Sequence, residues 1–83
     1  GVVWVKNVGG HLPGNAIPTG FWQKPWPATA YSCRTMVNDK TKIGWTWKGQ
    51  YCRYNHLGNY ALSSNFEVLS RADYTVDMLD LTN

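Results

Sequence analysis

Four tryptophans, Trp22, Trp26, Trp45 and Trp47, sit near Lys24, Lys42 and Lys48. Aromatic faces beside hydrogen-bonding groups are how proteins hold sugars. The ring packs on the apolar C–H face, and polar side chains reach the hydroxyls. The same combination stacks nucleobases. At least two of these rings are expected in the core, where large aromatic surfaces gain most.

Other chemistry has weaker spacing. His11, His56, Glu67 and Arg34 are residue types a small nuclease uses for acid–base work, but their order carries no motif. The two histidines are 45 positions apart, and no CxxC or HxxxH occurs. No metal site, cofactor or enzymatic activity is expected. Eight scattered Lys and Arg residues without a run do not suggest nucleic acid.

The elements that must position these residues are strands. In Ala30–Tyr54, Tyr31, Cys33, Thr35 and Val37 alternate with Ser32, Arg34, Met36 and Asn38. Ile43, Trp45 and Trp47 share one face, with Lys42, Thr46 and Lys48 on the other. Cys52 and Tyr54 oppose Tyr51 and Arg53. Period-two alternation of β-branched and aromatic residues marks strands. Asn38-Asp39-Lys40 and Lys48-Gly49 supply the turns between the three.

Around this meander the chain reads as more short strands. Gly1–Val8 is a first strand, with Val3 and Val5 on one face and Trp4 on the other. Leu12-Pro13-Gly14-Asn15 is a turn. Ala16-Ile17 is briefly extended and is cut by Pro18, and Gly20-Phe21-Trp22 starts a strand. Pro25 and Pro27 make Gln23–Ala28 irregular or an edge. Asn55–Asn59 reads as loop, Tyr60–Leu62 as a short strand, and Phe66–Leu69 as a strand with Phe66 and Val68 on one face. Tyr74, Val76 and Met78 alternate, so the tail also reads as a strand. The expected fold is all-β, a small antiparallel β-sandwich or barrel-like module of five to seven strands.

Length limits the core. A chain of 83 residues forms one domain and buries only about 60–65% of its unfolded surface. Twelve aromatic residues must then supply much of the core. Cys33 and Cys52 have 18 residues between them. A bridge would add roughly 3 kcal/mol on a chain-entropy model. In a flat meander, however, the first and third strands lie about 9–10 Å apart. A bridge needs Cα atoms about 4.4–6.8 Å apart. A disulfide therefore requires those strands to approach directly, and two buried thiols are the alternative.

Charge is uneven. Residues 1–70 hold seven basic and two acidic side chains, a net +5. Residues 71–83 hold one basic and three acidic, a net −2. No apolar stretch reaches the roughly 18 residues of a spanning helix. The chain opens on Gly, as expected for a mature or trimmed form, and an extracellular location is expected.

Several segments, in order, resemble the DM9 repeat of invertebrate proteins, a family that includes a mannose-binding lectin. They are Trp4-Val5, Gly9–Ile17 (GGHLPGNAI), Gly20-Phe21, Tyr31-Ser32-Cys33-Arg34, Gly44 and Phe66-Glu67-Val68-Leu69. The likeness spans about residues 4–69, leaving 70–83 as an extension. It implies a carbohydrate-binding, non-catalytic module of innate defence. The family's sugar-binding aspartate and lysine fall at Trp22 and Trp45 here, and the Gly-Lys-Glu-type stretch becomes Gly58-Asn59-Tyr60. The resemblance thus implies a site with Trp22 and Trp45 as stacking platforms and with Gln23, Lys24, Lys42 and Asn59 for the hydroxyl contacts. Arg34 and Glu67 keep the family's charged types. The runner-up function is a toxin-like interaction module that buries Trp22 and Trp45 against a protein or a membrane surface. The family's lectin pairs two repeats in tandem, which implies that a single repeat forms a homodimer, with Tyr74–Leu81 packing on the partner. The alternative is a monomer whose tail completes its own sheet.

Overall fold

The computed structural model describes residues 1–7, 9–23 and 26–72. The expected tail strand and Lys24 lie outside the described residues. The fold is all-β: seven antiparallel strands form one sheet. They are β1 (Val2–Lys6), β2 (Pro18–Trp22), β3 (Ala28–Val37), β4 (Lys40–Thr46), β5 (Cys52–His56), β6 (Asn59–Ser63) and β7 (Glu67–Arg71).

The sequence-local part is the meander β3-β4-β5-β6. Val37 pairs with Lys40 around Asn38 and Asp39, which take φ of 51° and 66°. Two left-handed residues suit the right-handed twist of a two-residue hairpin, and Asn and Asp tolerate that backbone better than most. A second tight hairpin turns at Leu57-Gly58 (φ 53° and 85°), with His56 paired to Asn59. Residues 55–59, expected as loop, are therefore mostly strand. Gly58 accepts the turn at no steric cost, and the Asn55 side chain accepts its N–H at 3.2 Å.

The long-range part inserts β7 between β1 and β3, giving the order β1-β7-β3-β4-β5-β6. β7 pairs with β1 along its whole length but meets β3 only at Cys33–Val68 and Arg34–Glu67. Beyond that point residues 15–17 take β7's free side. The Ile17 N–H donates to the Leu69 carbonyl, and the Arg71 N–H donates to that of Asn15. The chain then runs into β2, which pairs with the first half of β3. Pro18 begins β2 rather than ending the extended segment; a first strand position is one that proline tolerates.

The sheet has one covered and one open face. Cys33, Cys52, Phe66 and Val68 form the core on the covered side, with Leu12, Ala16 and Tyr31 packed against them. Cys33 and Cys52 form a disulfide with Cα atoms 5.9 Å apart. β4 lies between their strands, so β3 and β5 must bend towards each other across it. Gly44, opposite both Cys33 and Tyr54, permits this. A Cβ there would lie 2.0 Å from the Arg53 carbonyl oxygen.

Candidate functional site

The open face carries the aromatic side chains. Alternation along paired strands puts Trp22, Ala28, Ala30, Ser32, Trp45, Arg53 and Leu62 on it. Ala28 and Ala30 are small and buried, which leaves room above β3 for rings from the flanking strands. The result is an open trough of about 1000 Å³. Trp22, Trp26, Trp45, Trp47, Lys48, Gln50, Tyr51, Arg53 and the hydroxyl residues Thr19 and Ser32 line it.

The rings form a continuous series. Trp26 meets Trp47 at 5.5 Å between centroids, Trp47 meets Trp22 at 6.4 Å, and Trp22 meets Trp45 at 4.8 Å. Adjacent planes are tilted by 45–68°. Cations continue the series. The Arg53 guanidinium carbon lies 5.0 Å from the Trp45 centroid and 5.4 Å from that of Tyr60. Lys48 Nζ lies 4.2 Å from the Trp47 centroid. Each such contact is worth about 0.5–1 kcal/mol at an exposed site. Trp26 is 48% exposed and Trp47 37%, whereas Trp22 and Trp45 are half-buried. The tryptophans expected to fill the core instead line this surface, and the disulfide, Phe66 and Val68 fill the core.

The turn after β4 positions Trp47 and Lys48. Thr46 is buried, and its Oγ1 accepts the Gly49 N–H at 3.0 Å. Gly49 has φ 88°, and a Cβ there would lie 2.5 Å from the Leu12 nitrogen. Asn7, buried at the end of β1, donates from Nδ2 to the Gly49 carbonyl at 3.2 Å. Its Oδ1 accepts the Phe66 N–H at 3.4 Å. One buried amide thus ties the turn to β1 and β7.

Of the residues picked from the sequence, the structure brings together Trp22 and Trp45. Lys42 faces the other way: it pairs with Thr35, on the disulfide side of the sheet. Three positions separate it from Trp45, an odd step that reverses the face in a strand. Asn59 pairs with His56 at the β5–β6 turn, and neither it nor exposed Gln23 lines the trough. Lys48, expected opposite the tryptophans, joins them because the strand ends at Thr46 and alternation stops there. Arg53 went unpicked, although its place across from Trp45 follows from the meander's alternation.

Arg34 and Glu67 are cross-strand partners and form an ion pair at 2.6 Å, with Arg34 also 4.8 Å from the Trp4 centroid. A polar notch of about 490 Å³ adjoins them. Its groups already serve one another, since Thr35 Oγ1 bonds both the Ser63 hydroxyl and the Asn65 carbonyl. His56 stacks edge-on to Tyr54. Among the described residues no group of three or more His, Cys, Asp or Glu side chains could hold a metal ion. No protein-family model, curated protein or solved structure matches this chain.

Proposed function

We propose that this chain is a non-catalytic carbohydrate-binding module whose ligand lies along the aromatic trough. The observation that carries this reading is the series Trp26-Trp47-Trp22-Trp45, held on an open sheet face. A small domain short of apolar core gains more by burying such rings, and a contiguous exposed apolar surface marks a binding site. Tilted rings present edges and faces to a chain of sugar units, and Thr19, Ser32 and Gln50 offer hydrogen bonds to hydroxyls. The resemblance to DM9 repeats supports the same function. With Trp22 and Trp45 at the family's charged positions, stacking takes over from polar contacts.

A glycan array with folded protein tests this. Binding above background should fall at least tenfold in Trp47→Ala and in Trp22→Ala. An array without signal rejects the reading. Co-sedimentation with liposomes in that case supports the interaction-module alternative.

A further inference from the structure

We infer that the trough's ligand is an acidic glycan, a polymer bearing uronic carboxylates, with Arg53 and Lys48 as the groups that hold its charge. This rests on the carbohydrate-binding reading and names its substrate class.

The molecule contains its own comparison. Arg34 and Arg53 both lie on tryptophan faces, at 4.8 and 5.0 Å from the centroids. Arg34 has a carboxylate, that of Glu67 at 2.6 Å. Among the described residues Arg53 has none within ion-pairing distance. A guanidinium stacked on a ring uses its π face and keeps its in-plane N–H donors, whose fork matches a carboxylate. Arg53 lies over Trp45 and Tyr60, and among the described residues no carboxylate pairs with its donors. Lys48 adds a second cation, fixed over Trp47. No Asp or Glu lines the trough among the described residues: Glu67 is bound to Arg34, and Asp39 sits at the opposite end of β4. Cations, rings and hydroxyls without acids complement an acidic sugar polymer, whereas a neutral one would leave both charges unused.

A nucleic acid strand fits less well. It needs a groove of cations tracking successive phosphates and open, stackable ring faces. Here two cations, Lys48 and Arg53, line the trough among the described residues, too few to track successive phosphates.

The test is titration of the protein with polygalacturonate and hyaluronan, with their methyl-esterified forms and with oligo-dT, at several salt concentrations. Each acidic polymer should bind at least tenfold more tightly than its ester and weaken as salt rises. Arg53→Gln should lose at least tenfold, Arg53→Lys and Lys48→Gln severalfold, and Lys40→Gln, a surface cation beside the Asn38-Asp39 turn, less than twofold. Equal binding of acid and ester overturns the inference and leaves the carbohydrate reading standing. So does binding of neutral glycans alone. A Lys40→Gln loss as large as that of Arg53→Gln shows indiscriminate polyanion attraction and also overturns it. Tighter binding of oligo-dT assigns the trough to nucleic acid. No binding to any glycan removes both readings.

Discussion

Gly44 is the position at which one methyl group should cost the most. A Cβ placed there would lie 2.0 Å from the Arg53 carbonyl oxygen, 2.8 Å from its carbon and 3.1 Å from the Tyr54 Cα. All three are backbone atoms, so no side-chain rotation relieves the contact. β5 must move away, yet the Cys33–Cys52 bond holds β5 close to β3. Overpacking of this kind costs about 1–3 kcal/mol, and a backbone clash belongs at the upper end. For a domain of this size each kcal/mol shifts the melting midpoint by about 4–8 °C. Gly44→Ala should therefore melt about 10–20 °C lower, followed by circular dichroism. Gly14→Ala is the control. Nothing lies within 4 Å of its added Cβ and its φ is not left-handed. That variant should be unchanged or more stable by up to about 1 kcal/mol, through the unfolded chain's lost entropy. A Gly44→Ala midpoint within a few degrees of the parent would refute the account of how β3 and β5 meet.

Other outcomes follow from the same contacts. Reducing the disulfide, or replacing both cysteines with serine, should cost about 3 kcal/mol and lower the midpoint by roughly 10–20 °C, measured by thermal melts with and without reductant. Asn7→Ala leaves the Gly49 carbonyl and Phe66 N–H without their side-chain partner, so urea unfolding should show a loss of about 1–3 kcal/mol. Light scattering checks the expected homodimer: twice 9.4 kDa supports it, and 9.4 kDa rejects it.

What the sequence revealed was local. Alternation in β4 set Trp45 on the face opposite Lys42 and Thr46, and alternation over residues 66–69 put Phe66 and Val68 on one face, which the fold buries, because a strand's two-residue period depends only on neighbours. Strand order was not legible. Nothing in Glu67–Arg71 says that it will lie between β1 and β3. The disulfide stayed open for a similar reason. Its feasibility turns on Gly44, a residue of the intervening strand whose missing side chain lets β5 close in. The trough was half legible. Trp22 and Trp45 stood out by type, but Lys48 joined them only because Thr46 and Gly49 end the alternation. Asn7's role depends on long-range contacts to Gly49 and Phe66 that no local pattern encodes.

The central claim is that a glycan binds along the ring series, and the five tryptophans allow it to be read directly. Trp22, Trp26, Trp45 and Trp47 line the trough, whereas Trp4 lies apart, beside Arg34 on the β1–β7 side of the sheet. The measurement is a titration of the ¹⁵N-labelled chain with an array-positive oligosaccharide, following the indole N–H resonances. Saturable shifts at the four trough indoles, with Trp4 unmoved, are the predicted result. Shifts at Trp4 alone, or none at the four while the sugar is bound, would contradict it.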